Sequence, residues 1–187
     1  MRKKLLVIIM TMLLLCGCEK KTDASMQRAL DFRSALMGAG ECTFSADFTA
    51  DYEDEIFRFS ADCVCGKDGV TLTVTSPETL SGICAAVEEQ DARVIFDETE
   101  IALDLMAGKL APLSAPYRLF AAWTEDYLQF TGSEDGQLRM TALQGYDDEE
   151  LTVDTWLNGE NIPIRAEIAA EGTTLLFAEI TNFKFGA

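Results

Sequence analysis

Six cysteines and no histidine limit the side-chain chemistry open to this chain of 187 residues. The usual general base, the histidine-dependent triads and the commonest zinc ligand are all missing. Cys63-Val64-Cys65 has the spacing of a metal-binding pair, with Cys42 and Cys84 as further thiols, but paired or buried cysteines on strands account for the pattern more simply, and no metal is expected. Carboxylates cluster at Asp51, Glu53, Asp54 and Glu55, at Asp97, Glu98 and Glu100, and from Asp147 to Glu150. Two carboxylates facing across a cleft would suffice for glycoside hydrolysis. Each cluster falls at an expected turn, however, where a solvated face is the ordinary explanation. The last run also lacks the alternating ligands and internal glycine of a calcium loop. No glycine-rich loop precedes a helix, so a phosphate cradle is not indicated. These residues predict no catalytic residue, no cofactor and no enzyme.

The beginning of the sequence is more specific. Arg2, Lys3 and Lys4 precede an apolar run from Leu5 to Leu15, the length of a signal-peptide core and short of a membrane span. Leu15-Cys16-Gly17-Cys18 then resembles the bacterial lipobox, which implies cleavage after residue 17 and a diacylglycerol thioether on Cys18. An uncleaved signal anchor is the alternative. The expected organisation is a signal peptide over 1–17, a lipidated tether over 18–24 and one domain over 25–187, held extracytoplasmically on the cell membrane. The mature part, about 170 residues, is long enough for one domain with a core. Loss of residues 1–17 removes three basic groups and no acid, taking 15 basic against 32 acidic side chains to 12 against 32, a balance of −20. That field repels nucleic acid and anionic lipid surfaces, which leaves the acyl chains as the membrane anchor and excludes nucleic acid as a partner.

The elements that would position these groups follow from periodicity. Residues 25–38 repeat apolar side chains near the helical period, with Ser25 as a candidate N-cap and Gly38 or Gly40 as the stop. From Cys42 to Tyr52 the even positions are apolar; from Ile56 to Cys65 the odd ones are. A two-residue turn at Glu53-Asp54 would set Cys42 opposite Cys65 and Phe44 opposite Cys63. Cys42–Cys65 is then a candidate disulfide, leaving Cys63 and Cys84 as a second pair; the alternative is four small buried thiols. Gly66-Lys67-Asp68-Gly69 marks a turn, and Val70 to Ser76 a strand. Leu80 to Val87 is read as a strand. A hairpin is expected around Asp97-Glu98, and a second helix from Ser114, its candidate N-cap, to Trp123. Five further strands follow, between Tyr127 and Phe185, separated by glycine-containing or acidic turns.

These elements predict a mainly β (α+β) domain: a strongly curved antiparallel sheet of about 10–11 strands, a half-barrel, with helices covering its concave face. The order of elements over residues 25–185, with Leu151 to Leu157 followed by Ile162-Pro163-Ile164-Arg165-Ala166-Glu167-Ile168, resembles Gram-positive envelope lipoproteins of the LolA/LppX-type lipoprotein-carrier superfamily. The resemblance implies an apolar cavity between sheet and helices. Met26, Leu30, Phe44, Phe48, Phe59, Tyr117, Phe120 and Trp123 are its candidate lining residues. Trp156 shares a strand side with Thr152 and Asp154, opposite Leu151, Val153 and Leu157, which makes it a candidate exposed recognition residue on the outer face; a Trp packed beneath a flanking strand or turn is the favoured alternative. The expected function is a membrane-anchored, non-catalytic lipoprotein binding a lipid or other amphiphile in that groove. The alternative is an envelope protein-interaction or structural module that uses an acidic outer face and has no ligand cavity.

Overall fold

The alternation in residues 41–66 is realised as the longest hairpin of the molecule. The computed structural model describes residues 24–52, 55–88, 91–96, 99–104, 112–145 and 150–186; the leader, the tether and Cys18 lie outside them. Helix α1 (Ala24–Ala39) leads into β1 (Glu41–Tyr52) and β2 (Glu55–Gly66). Then come β3 (Gly69–Ser76), β4 (Cys84–Glu88), β5 (Asp91–Phe96) and β6 (Thr99–Asp104). A 3-10 turn (Pro112–Ser114) opens α2 (Ala115–Thr124), and β7 (Tyr127–Glu134), β8 (Gln137–Gln144), β9 (Leu151–Leu157), β10 (Pro163–Ala170) and β11 (Thr173–Phe185) complete the chain.

Eleven strands form one sheet in the order β6-β5-β4-β3-β2-β1-β11-β10-β9-β8-β7. Every neighbouring pair is antiparallel, and β1 and β11 meet in the middle. Because β6 and β7 lie at opposite edges, the chain between them has to cross the sheet. It does so as α2, which lies against β2 and β3 and against β8 and β9. Helix α1 lies beside it, against β7, β8, β1 and β11.

The expected strongly curved half-barrel is corrected by this topology: the sheet is open, with two free edges, and is not strongly curled. Alternation dictates which face is apolar but not how far the sheet bends, because bending is concentrated at bulges. The β1–β2, β3–β4, β4–β5, β5–β6 and β8–β9 ladders run without a register shift, while β1–β11, β10–β11, β9–β10, β2–β3 and β7–β8 carry one each. The reading of residues 80–87 as strand is also corrected at its start. Leu80 N–H donates to Pro77 carbonyl at 2.9 Å and Gly82 N–H to Val74 carbonyl at 2.9 Å, so residues 77–82 turn and the strand begins at Cys84.

The core lies between the helices and the inner face of the sheet. Helix α1 buries Ala29, Phe32 and Leu36, one stripe at helical spacing, and ends where Gly40, at φ +78, donates its N–H to Leu36 carbonyl. Ser114 holds the N-cap position of α2 but makes no side-chain capping bond. In β11 the inward positions change from Leu176, Ala178 and Ile180 to Phe183, which packs against the core, and Phe185. Asn182 sits between them at φ +54, where the β1–β11 register shifts. That bulge turns the two phenylalanines inward, against Phe32 at 6.2 and 6.0 Å.

Candidate functional site

The inner face is the expected ligand site, and a cluster of aromatic rings packs there within a largely aliphatic core. Trp123, fully buried, meets Phe32 edge-on at 6.1 Å, Phe44 at 5.6 Å and Phe183 at 5.8 Å. Phe44 stacks on Phe183 at 6.4 Å, and Phe48 on Phe59 at 4.9 Å. These separations are those of rings in mutual contact, with no acyl chain's width between them. The indole N–H of Trp123 donates to the Thr155 hydroxyl at 2.9 Å, which fixes α2 over β9. Arg33 reaches from α1 to the Ala122 carbonyl at 2.6 Å; its burial lowers its pKa, partly countered by Asp126. Asp126 is raised above the ordinary carboxylate value, mainly by burial, and Gln144 donates to it at 2.5 Å while also donating to Arg118 carbonyl at 2.7 Å.

Of the eight expected lining residues, Phe44, Phe48, Phe59 and Trp123 are buried in this packing, while Met26, Tyr117 and Phe120 are half-buried. Leu30 is 45% exposed, because the helical phase that buries Ala29, Phe32 and Leu36 turns it outward, and it is withdrawn as a lining residue. A cavity of about 440 Å³ opens to solvent elsewhere, at the β2–β3 turn, bordered by Gly40, Glu41, Gly66, Lys67, Asp68 and Gly69. None of the eight borders it.

The outer face carries the more organised polar arrangement. One cross-strand row reads Ser60, Asp47, Glu179, Arg165, Trp156, Arg139 and Gly132 through β2, β1, β11, β10, β9, β8 and β7. Trp156 is on the outer face, as its strand parity indicates, but it is only 3% exposed. The Arg165 guanidinium lies 3.7 Å from its ring centroid and that of Arg139 5.3 Å. Trp156 is thus packed and not exposed: long side chains from the two flanking strands close over the ring. Arg139 grips Asp154 through two bonds, Nε at 3.1 Å and Nη2 at 2.7 Å, and Asp154 also accepts from Thr141. Glu134 bridges the two arginines, 3.3 Å from Arg139 and 3.7 Å from Arg165, and Glu167 stands 3.9 Å from Arg165. The indole nitrogen of Trp156 is buried without a hydrogen-bond partner. Parity places Trp156 on its face; its cover arises from cross-strand register, which no local pattern announces.

Further along the same row Glu179 lies between Arg165 and Asp47. Asp47 and Glu179 are directly opposed carboxylates, both exposed, with Ser60 donating to Asp47 at 2.5 Å. In the next row Ser45 donates to exposed Asp62 at 2.7 Å. Like charges directly opposed across a ladder are unfavourable unless something of opposite sign approaches.

The four cysteines among the described residues are thiols in this structure. Cys42 and Cys65 are directly opposed on the inner face, and Cys63 shares that face opposite Phe44. Cys84 pairs with Thr73 on the outer side, its sulfur 3.5 Å from the Thr73 hydroxyl. Cys63 and Cys84 thus stand on opposite faces of strands separated by β3, and the expected second pair is corrected: they cannot be bridged without moving backbone. Among the described residues no three histidine, cysteine or acidic side chains converge on a metal position. No helix among them is long and apolar enough to cross a membrane.

No protein-family model matches the chain, and no curated protein matches it in sequence. Solved structures do. A DUF1329 family protein from Desulfovibrio piger superposes with a TM-score of 0.50 at 12% identity, over 87% of this chain and 92% of the other. A LolA superfamily protein from Nitrosomonas europaea gives a TM-score of 0.46 at 9% identity, over 86% and 93% of the two chains. The Mycobacterium tuberculosis lipoprotein LppX gives 0.42 at 16%, over 88% and 95%. The likeness is one of fold alone.

Proposed function

We propose that the chain is a lipid-anchored, non-catalytic extracytoplasmic protein that works as an interaction module, its outer sheet face docking a basic surface of an envelope protein or cell-wall component. The observation that carries this reading is the division of labour between the two faces. Phe32, Phe44, Trp123 and Phe183 pack on one another between helices and sheet, whereas the outer face presents Asp47, Asp62 and Glu179 from three adjacent strands. An opposed carboxylate pair is stabilised by a cation brought by a partner, and electrostatic complementarity of this kind sets register and on-rate.

A second reading, binding of a lipid or other amphiphile, is favoured by one observation: Phe57, at an inner-face position of β2, is 44% exposed beyond the packed rings. Both readings are separated by native mass spectrometry and cross-linking of the full chain recovered from membranes. A salt-sensitive cross-link to an envelope component, lost when Asp47, Asp62 and Glu179 are changed to lysine, supports the module. A lipid-sized mass beyond the covalent anchor, retained by the same variant, supports amphiphile binding and overturns the module.

A further inference from the structure

The hairpin β1–β2 carries three thiols on its inner face, and their placement is unequal. We infer that Cys42 and Cys65 are joined by a disulfide in the exported protein, while Cys63 and Cys84 stay reduced. Cys42 and Cys65 are direct partners in an unshifted ladder, both without solvent exposure. Directly opposed residues of an antiparallel pair have Cα atoms about 4.5–5.5 Å apart, inside the range of about 4.4–6.8 Å that a disulfide spans. Cys63 lies diagonally from Cys42, at roughly 7–8 Å for such pairs, at or past the limit of a bridge. Cys84 is on the other face, its thiol directed at the Gly82 carbonyl at 3.7 Å.

The reaction is a two-electron oxidation. One thiolate attacks a small-molecule disulfide or the disulfide of an oxidoreductase, and the second thiolate resolves the mixed disulfide; two protons leave the cysteines and the oxidant departs as two thiols. Burial drives the Cys63 and Cys65 thiols well above their usual range, so few thiolates exist in the folded domain. The exchange therefore belongs to the stage at which the hairpin is still uncovered by α1 and α2. The finished bond is then sealed under the helices and resists reduction.

This inference rests on export of the chain, so the test separates the two. The full chain is recovered from the membrane fraction of cells that export it and alkylated under denaturing conditions with and without prior reduction. It is then mapped by proteolysis and fragmentation mass spectrometry. The expected result is a Cys42–Cys65 link that persists in Cys63→Ala and is lost in Cys65→Ala, with Cys84 alkylated before reduction. If the chain is absent from the membrane fraction, the functional proposal fails, and the link is sought instead after refolding from denaturant with oxidised glutathione. Four alkylated thiols before reduction, or a link through Cys63 or Cys84, overturns the inference.

Discussion

Replacing Arg165 by alanine uncovers Trp156. The guanidinium sits 3.7 Å from a ring that is 3% exposed, a cation–π contact worth about 1–2 kcal/mol when desolvated on one side. Its ion pairs to Glu134 and Glu167, at 3.7 and 3.9 Å, join side chains roughly a third exposed or more, and contribute at the low end of about 0.2–1 kcal/mol each. The expected loss is about 1–2 kcal/mol, a fall in Tm of roughly 2–8 °C for a domain of this size. Urea unfolding checks the free energy, and emission with acrylamide quenching checks the mechanism. The chain has two tryptophans, and Trp123 lies fully buried away from the change, so a red shift and greater quenching report Trp156. Arg165→Lys separates charge from stacking, because a lysine keeps the cation and loses the plane. Recovery of full stability by lysine, or a loss abolished by about 0.5 M salt where exposed pairs are screened, would refute the stacking argument. An alanine variant with unchanged emission would refute the cover itself.

Thr155→Val removes the acceptor of the buried Trp123 N–H at nearly constant volume, and should cost about 1–3 kcal/mol in chemical denaturation, with Thr155→Ser recovering most of it. Phe32→Ala opens a hole among Trp123, Phe183 and Phe185 and should cost about 3–5 kcal/mol, read as a lower urea midpoint at unchanged slope. Asp126 has a folded-state pKa above the ordinary 3.8, so the folded state binds its proton more tightly than the unfolded state does. Its favourable share is complete below the unfolded value and is lost as pH rises through the folded one. Asp126→Asn should accordingly be more stable than the parent at neutral pH, with the advantage vanishing below about pH 4; thermal melts at both ends of that window decide it.

The parts of this fold that were legible in the sequence are those governed by local period. Alternation through Cys42 to Tyr52 and Ile56 to Cys65 requires the register that sets Cys42 on Cys65 and Phe44 on Cys63, because a one-residue slip would expose the phenylalanines. Gly66 and Gly69 likewise bound the expected turn. Features set by packing between distant segments were not legible. Leu30 and Ala29 are adjacent apolar residues between Arg28 and Asp31, and only the direction of the sheet decides which is buried. Cys84 was paired with Cys63 by elimination, whereas β4 begins two residues after Gly82, at φ +89, with Cys84 on the opposite face. Trp156 has the parity of an exposed residue, and its burial depends on arginines supplied by strands β8 and β10.

The meeting of β1 and β11 at the centre of the sheet has a consequence for assembly. Apart from the β1–β11 seam, every strand pairs only with sequence neighbours, so either half can form as a meander through short-range closure. The seam Cys42↔Phe185 to Ala50↔Leu176 cannot close until β11 has emerged. If the chain is exported leading end first, as proposed, one edge of β1 stays open for nearly the whole passage, and the last strand to arrive is the one that joins the halves. Until then that edge is the natural place for a chaperone, or a second unfinished copy, to bind.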